Sequence, residues 1–362
     1  MVAVGGIEAV PAADNRETYM LNSKKRLLIA AGAIAFAVAA ALPIAPSQAQ
    51  GMKKDVTIAL FVAIQSNPVE QAIINAFQKV AKEDGHARFV VFDSNNSVQK
   101  ELSNCNDAIA AKRFDAFALK PVAGPPLMAC AKKAIAAKIP VVAFGNALGP
   151  NANTAKRQIK GLKGSVVELA KTNGQAVAEL VNLACKAKGA NPCNVIYEYG
   201  PLAFDWASIT RKYFTQIAAK KYKNIKIVAS GAYNFDPNQA RTLTKSLVQV
   251  HSNVDVIASD GDLGAIGVVQ ALNDIGKKPG KDILVTGGAI SKQGKEMMTK
   301  GEMFGSTCLM PNTEAETSAR YSIKAARGEK IAKPDVEVCR VFAKTGVAPI
   351  TMANVSKFTP EW

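Results

Sequence analysis

Polar and aromatic side chains follow the ends of the predicted strands, and together they could bind one small molecule. In an open parallel sheet, ligands bind beyond the carboxyl ends of the strands. Side-chain amides and carboxylates hydrogen-bond hydroxyl groups, and aromatic rings cover C–H surfaces. The set therefore suits a small polyhydroxylated ligand. The candidates at these strand ends are Gln65, Ser66, Asn67, Lys120, Asn146, Phe204, Asp205, Trp206, Phe235, Asp260 and Asp262.

Helix capping and core packing are the alternative interpretations of several of these residues. Ser, Asn and Asp also begin helices after strands, because their side chains accept hydrogen bonds from free backbone amides. Capping is the alternative for Asn67, Ser97, Asp205, Asp236 and Asp262. Core packing at a helix start is the alternative for Trp206 and Phe235.

The patterns of common enzyme classes are missing from the sequence. The turn after the first strand, residues 63–68, reads AIQSNP and lacks the Gly-x-Gly-x-x-Gly of dinucleotide binding. No Walker A sequence and no Gly-x-Ser-x-Gly elbow occurs. Two histidines are present, His86 and His251, and both precede strands, away from the expected ligand edge. We therefore predict a non-enzyme with no catalytic residue, no metal ligand and no cofactor.

The chain is strongly basic, with 45 lysines and arginines against 29 acidic residues and a net charge of +16. Such a balance can indicate nucleic acid, an anionic membrane surface or anionic ligands. The lysines are spread along predicted helices, without an arginine-rich block or a basic segment interleaved with aromatics. A solvated basic surface is therefore predicted, with no nucleic-acid partner.

Residues 1–49 have the features of a leader for export. Three basic residues precede an apolar run over residues 27–42, and a small-x-small site follows it. This order is the signature of a secretory signal peptide, for which we predict cleavage after Ala49. The alternative is an uncleaved membrane anchor, for which the run is short. Met20 fits the start of such a signal, so the first 19 residues are interpreted as a mis-called start.

Six cysteines follow the predicted leader and indicate disulfide bonds. An even count in an oxidising compartment is typical of a disulfide framework. Connectivity does not follow from the count alone, and buried free thiols are the alternative. Sequence neighbourhood favours three pairs that would each join neighbouring elements of one α/β layer: Cys105–Cys130, Cys185–Cys193 and Cys308–Cys339.

Near-continuous apolar strands alternate with amphipathic helices from Lys54 onward. This alternation predicts parallel sheets covered by helices on both faces. The loop-rich residues 145–165 interrupt the rhythm and divide the chain into two α/β halves of the same layout. Further predicted elements are a helix over residues 166–186, strands over 303–309 and near 336–342, and a polar tail over 343–362 that wraps the surface.

Several stretches in a fixed order carry a family pattern. They are residues 56–60 leading to Ser66-Asn67-Pro68, residues 92–97, residues 138–142, residues 259–267 and the ending 350–355. In these stretches the chain resembles the periplasmic sugar-binding proteins of ABC transporters, of the ribose-binding type. The resemblance implies an α/β fold with two Rossmann-like lobes, whose parallel sheets are covered by helices. It also implies a three-crossover hinge that lets the lobes close on a ligand, as in type I periplasmic binding proteins.

The resemblance also implies a domain organisation and partners. It places the N-terminal lobe at residues 50–165, the C-terminal lobe at 166–309, a return to the N-terminal lobe at 310–335, and the last strand and tail at 336–362. The ligand would be delivered in the periplasm to a membrane permease with a cytoplasmic ATPase. We expect the protein to act as a monomer.

The binding residues of that family carry over only in part. Asn67 matches the family's asparagine after the first strand, and Phe235 matches an aromatic residue of the family's second lobe. Arg211 lies near the sequence position at which the family has an arginine on a second-lobe helix. Val69 and Glu70 stand where the family has two aromatic residues. The resemblance therefore adds Glu70 and Arg211 to the candidate ligand-binding residues.

Other family positions carry different side chains. The Asp-Arg pair that holds sugar hydroxyls is Gly145-Asn146 here, and further departures are Gly261, Gly288 and Leu309. Because lost hydrogen-bonding partners change which ligand a polar site recognises, ribose itself is not the expected ligand.

Three functional hypotheses follow. The first is a transport protein for a sugar or sugar alcohol. The second is a protein of the same fold for a non-sugar, such as an aromatic or amino-acid-derived acid, which Lys120 and Arg211 would bind. The third is a periplasmic partner of a chemoreceptor or sensor. All three bind one small ligand between two lobes and differ in ligand chemistry or membrane partner.

Overall fold

The computed structural model describes residues 53–341 and 349–362. The predicted signal peptide, its cleavage site after Ala49 and the alternative start at Met20 lie outside the described residues. Within the described part, no helix combines the length and apolar character needed to cross a membrane.

Strands and helices alternate through the described chain. The first half contains β1 (Val56–Val62), α1 (Pro68–Asp84), β2 (Ala87–Asp93), α2 (Val98–Ala110), β3 (Ala116–Leu119), α3 (Gly124–Ala136), β4 (Val141–Gly145) and β5 (Gly164–Val167). The second half contains α4 (Ala170–Lys188), β6 (Cys193–Tyr199), α5 (Asp205–Lys221), β7 (Ile225–Ala232), α6 (Pro237–Val250), β8 (Val256–Ser259), α7 (Asp262–Asp274), β9 (Leu284–Thr286), α8 (Lys292–Thr299) and β10 (Gly305–Ser306). The last elements are α9 (Pro311–Ala326), β11 (Asp335–Glu337) and β12 (Ile350–Thr351), with short 3-10 helices at Val338–Val341 and Val355–Lys357.

Two six-stranded sheets organise these elements. The first sheet has the order β2-β1-β3-β4-β5-β11, and all its neighbouring strands are parallel. The second has the order β7-β6-β8-β9-β10-β12, in which β12 alone runs antiparallel. We call the first sheet with its helices the first lobe, and the second sheet with its helices the second lobe.

The chain passes between the lobes three times. The first crossing follows β5, the second lies between β10 and α9, and the third lies between β11 and β12. The predicted α/β fold, with two lobes of helix-covered parallel sheets and a three-crossover hinge, is confirmed.

Apolar strands between amphipathic helices produce this architecture. In β1, Ile58 and Leu60 pack in one hydrophobic cluster while Ala59 and Phe61 pack in another, so both faces of the strand are covered. Two corresponding clusters cover the second sheet. Burial on both faces explains why these strands read as continuous apolar runs rather than as alternating patterns.

Strand β5 corrects the sequence-based prediction at residues 166–186. Val166 and Val167 are strand residues that pair with Phe144 and Gly145 in the first lobe, and helix α4 begins only at Ala170. The predicted lobe boundary at residue 166 therefore falls inside β5. Buried valines satisfy a helical and a strand pattern equally well over such a short run, so periodicity could not separate the two.

The predicted strands near the end of the chain are too long. The strand expected over residues 303–309 is limited to Gly305–Ser306, and the one expected near 336–342 is Asp335–Glu337 followed by a 3-10 helix. Both segments lead into crossings between the lobes, where the chain leaves its sheet.

The C-terminal tail does not simply wrap the surface. Of its described residues, Ile350 pairs with Ser306 in the second sheet and Phe358 is buried in the second-lobe core. Glu361 accepts a hydrogen bond from the Thr313 amide at the start of α9, in the first lobe, at 2.9 Å. The tail thus connects the two lobes. The predicted surface course was wrong because three apolar side chains of this polar segment, Ile350, Val355 and Phe358, are buried in the second-lobe core and anchor it.

All three predicted disulfides are confirmed. Cys105–Cys130 joins α2 to α3 with a Cα–Cα distance of 6.1 Å, and Cys185–Cys193 joins α4 to β6 at 5.8 Å. Cys308–Cys339, at 6.1 Å, joins the second crossing to the third. This last bond therefore links two hinge segments rather than neighbouring elements of one α/β layer, as had been expected.

Candidate functional site

A cleft that is open to solvent lies between the lobes at the carboxyl ends of their strands. Eight of the predicted ligand residues line it: Asn67, Glu70, Lys120, Asn146, Phe204, Trp206, Phe235 and Asp262. The strand-end interpretation thus leads from both halves of the sequence to the same cavity.

Two predicted residues do not line the cleft. Gln65 and Ser66 are exposed in the turn before α1, and Ser66 borders a separate surface depression. The turn places Asn67 and Glu70, which line the cleft, on the other side of the chain. Neighbours in a turn point in different directions, so position after a strand does not by itself bring a side chain into the cleft.

Three further predicted residues serve the scaffold. Asp260 is fully buried and accepts hydrogen bonds from the Gly200 amide and the Tyr233 hydroxyl, each at 2.9 Å. Arg211 lies with its guanidinium 4.5 Å from the centre of the Tyr199 ring and does not line the cleft. Asp205 accepts a hydrogen bond from the Gly124 amide of the first lobe at 2.8 Å. These polar groups stabilise the scaffold instead of facing the cavity.

Some of the residues for which helix capping was the alternative do cap a helix, and others do not. Asn67 both lines the cleft and caps α1, since its side chain accepts a hydrogen bond from the Val69 amide. Ser97 and Asp236 cap α2 and α6 in the same way. Asp262 is not a cap, because its carboxylate instead accepts hydrogen bonds from Ser291 and Ser306.

Aromatic side chains form the second-lobe wall of the cleft. The rings of Phe204 and Phe235 meet edge to face with centres 5.8 Å apart, and Trp206 lies beside them. Phe235 has a φ of 57°, and a side chain at position 200 would overlap its ring, so Gly200 is needed there. Flat apolar faces in this arrangement can cover the C–H surface of a ligand.

The first-lobe end of the cleft is ionic. The Lys120 ammonium, which follows β3, donates to the carboxylate of Glu70 on α1, and both side chains are buried. Glu168 from the first crossing and Glu314 on α9 lie within electrostatic range of this pair. We call Glu70, Glu168 and Glu314 the glutamate cluster. Burial raises the pKa of Glu314 to about 8, and it raises that of Glu168 well above its ordinary value.

Asp262 is a fully buried carboxyl group in the second-lobe part of the cleft. It accepts hydrogen bonds from the Ser291 amide at 2.7 Å, the Ser291 hydroxyl at 3.0 Å and the Ser306 hydroxyl at 2.6 Å. Desolvation still raises its pKa to about 7. Because its acceptor positions are occupied from within the lobe, Asp262 shapes the cleft more than it offers new bonds.

Some residues that line the cleft were not among the predicted ligand-binding candidates. Asn96 and Tyr233 line it from loops that follow β2 and β7. Glu168 follows β5, where the strand-end rule would have found it had the strand been recognised. Glu314 and Trp362 carry no such signal, since one lies on a returning helix and the other at the end of the tail.

Among the described residues, no group of three or more His, Cys, Asp and Glu side chains is arranged to hold a metal ion. Lys120 and Arg211 do not form the anion site that the non-sugar hypothesis required. Lys120 is paired with Glu70, and Arg211 lies outside the cavity.

Two α/β lobes, three crossings and a cleft at facing strand ends define a two-lobed ligand-binding protein. Residues 58–330 match the family described as periplasmic binding protein domain. The chain belongs to this family.

Sequence and structural relatives agree with this placement. The ribose import binding protein RbsB of Salmonella typhimurium is 26% identical over 284 residues, covering 78% of this chain and 88% of that protein. The galactofuranose-binding protein YtfQ of Escherichia coli is 26% identical over 240 residues, covering 64% and 72%. A Bacillus halodurans ABC transporter solute binding protein with bound myo-inositol superposes with a TM-score of 0.71 at 17% identity, covering 86% of this chain and 100% of that chain. At that identity the structural match supports the fold.

Proposed function

We propose that this protein captures a sugar or sugar alcohol between its two lobes and delivers it to an ABC import permease. The observation that carries the proposal is the convergence of hydrogen-bonding side chains from the first lobe and aromatic side chains from the second on one cleft. The relatives that bind ribose and galactofuranose support the same ligand class.

Ligand capture works through contacts from both lobes. A ligand that touches Asn67 on one side and Phe235 on the other binds the closed arrangement more tightly than an open one. This difference in affinity shifts the lobes towards closure. The permease then recognises the closed pair of lobes, and no catalytic step is required.

Several finer features belong to this proposal. The protein acts in the periplasm as a monomer after cleavage of its leader. A chemoreceptor or sensor that recognises the same closed form is the second candidate partner. The ligand class of the cleft is the same whether the closed form is recognised by a permease or by a receptor.

A binding screen tests the proposal directly. Purified residues 50–362 are heated with a panel of pentoses, hexoses, sugar alcohols, amino acids and aromatic acids. A ligand at 100 times its dissociation constant stabilises the fold by about 2.7 kcal/mol, which is roughly 5–10 °C for a protein of this size. We expect such a shift with a carbohydrate or polyol, and its loss in Phe235→Ala.

A matched control separates binding from folding. Exposed Leu202 lies near the same wall but does not line the cleft, so Leu202→Ala should keep the shift. A shift with acids alone, while every carbohydrate is silent, would contradict the proposed ligand class.

A further inference from the structure

The glutamate cluster gathers three carboxyl groups from separate elements at one end of the cleft. Glu70 lies on α1, Glu168 in the first crossing and Glu314 on α9. The exposed fraction of these three residues is 4%, 4% and 3%, respectively. Buried carboxylates are costly unless each is paired or hydrogen-bonded.

The existing partners satisfy only part of the cluster. Lys120 donates to Glu70 Oε1, and the Met310 amide donates to Glu168 Oε1 at 2.7 Å. The Gly145 amide hydrogen-bonds Glu314. One oxygen on each carboxyl group has no hydrogen-bond partner, namely Glu70 Oε2, Glu168 Oε2 and Glu314 Oε1. Each of these three cleft-lining residues thus has a carboxyl oxygen whose hydrogen-bonding capacity is unused.

Few protein donors near the cavity can supply them. The Lys120 ammonium is bonded to Glu70, and the Asn146 amide donates to the Pro121 carbonyl at 2.8 Å. The Trp362 indole N–H has no partner, but it is a single neutral donor. Lys120 is also the one cationic side chain among the described residues that line this cleft. When ionised, the three carboxyl groups therefore outnumber the single cationic side chain of the described cleft lining.

We propose that the ligand is a sugar or polyol bearing an ammonium group, and that the glutamate cluster binds this group. This inference rests on the proposed function and names the chemical class of its ligand. An ammonium group offers several N–H donors and no acceptor, which suits carboxylate oxygens that lack a donor. Charge-assisted hydrogen bonds of this kind are stronger than those from a neutral hydroxyl.

The protonation of the cluster supports the same ligand. Glu314 faces Lys120, Glu70 and Glu361, and Glu168 faces Glu314, Lys120 and Glu361. Burial, and after it the acidic neighbours, raise the pKa of both groups, so each binds its proton more tightly than an exposed carboxyl group does. A bound ammonium group stabilises the ionised carboxylates, and the protons pass to the buffer.

Paired ligands provide the test on the unaltered protein, residues 50–362. Titration calorimetry compares D-glucosamine with D-glucose, D-galactosamine with D-galactose, and D-glucamine with D-glucitol. Each pair differs by an amine in place of one hydroxyl. We expect one amine-bearing member to bind at least about 30-fold tighter than its parent, given the strength of charge-assisted bonds. Repeating the titration in phosphate and in Tris at pH 7 should reveal the release of up to about one proton per ligand.

Isosteric variants then locate the group. Glu314→Gln and Glu168→Gln keep the side-chain shape and remove the charge, so each should reduce the preference for the amine about tenfold or more. Glu329→Gln, on an exposed residue after α9, is the matched control and should leave it unchanged.

The outcomes separate this inference from the proposed function. A parent sugar that binds as tightly as its amine, or amine binding without proton release, overturns the inference and leaves sugar capture standing. If neither members of the pairs nor any other carbohydrate or polyol binds, both the inference and the proposed function fail.

Discussion

The carboxylate of Asp205 accepts a hydrogen bond from the backbone N–H of Gly124 at 2.8 Å, and this bond joins the two lobes. The Asp205 amide also donates to the Val122 carbonyl of the first lobe at 3.0 Å. Beside these bonds, Val122 and Ala63 pack in a small apolar cluster with Phe204 of the second lobe. Asp205 therefore connects the two lobes, and it does not line the cleft.

Removal of the Asp205 carboxylate should weaken ligand binding. In Asp205→Ala the closed arrangement loses a hydrogen bond to a charged acceptor, so we expect about 5- to 30-fold lower affinity, mainly through faster dissociation. Asp205→Asn keeps an acceptor oxygen and is the matched control. Stopped-flow dissociation of the ligand found by the screen measures the effect. Equal rates in the alanine variant and the unaltered protein would show that the bond does not hold the lobes.

Tryptophan fluorescence should report ligand binding without a label. The chain has two tryptophans, Trp206 and Trp362, and both line the cleft. Because a ligand replaces water against their rings, we expect the emission to change in intensity and to shift to shorter wavelength at saturation. Trp206→Phe and Trp362→Phe should each retain part of the response. An unchanged spectrum under conditions where calorimetry detects full occupancy would place the ligand elsewhere.

Stability should fall as the pH rises from about 5 to 8.5. Burial raises the pKa of Asp260 and Asp262 to about 7 and that of Glu101 and Glu198 to about 8. Unfolded carboxyls titrate near about 4, so between these values the folded chain binds more protons than the unfolded chain. Their contribution is complete below about pH 4 and is lost as the pH rises through the folded pKa values.

Thermal unfolding across this range, with Glu198→Gln as the test variant, checks the origin of the slope. Glu198 is fully buried, and the Thr244 hydroxyl donates to one of its oxygens at 2.6 Å. The neutral amide should match the unaltered protein at pH 5 and be more stable at pH 8.5. Arg327 lowers the pKa of Asp84 to about 2, so loss of that ion pair affects only more acidic solutions. A flat or rising profile would contradict the assignment.

Loss of the Cys308–Cys339 disulfide should lower the free energy of unfolding more than loss of the Cys185–Cys193 disulfide, which closes a shorter loop. Cys308–Cys339 closes a separation of 31 residues and Cys185–Cys193 one of 8. In the chain-entropy description, the longer loop contributes roughly 3–4 kcal/mol and the shorter roughly 2–3. Paired Cys→Ser variants at each bond, compared by urea unfolding, measure the difference. The opposite ranking would mean that native contacts, not loop closure, dominate.

Local patterns were enough to predict much of the cleft lining. Asn67 and Phe235 follow strands of different lobes, yet both line the cleft, because the carboxyl ends of parallel strands meet at one edge of each sheet. The same rule also selected Asp260 and Gln65, which do not line the cleft. It identifies positions on an edge but does not give side-chain directions, which depend on how each turn is packed.

The cysteine pairs show a similar division. Their partners could be predicted from sequence neighbourhood, since each bond joins consecutive or nearby elements. The role of Cys308–Cys339 could not, because it depends on two crossings that the tertiary fold brings side by side.

The sequence by itself determined the alternating α/β elements, the two-lobe layout and the polar strand ends, because hydrophobic periodicity and capping act over a few residues. Only the tertiary structure decided the charge of the cleft. Glu70, Lys120, Glu168 and Glu314 come from four distant parts of the chain, and Trp362 joins them from the tail. No local pattern relates such residues. They meet because separate apolar surfaces are buried together, and that burial also determines their pKa values and the chemistry they can recognise.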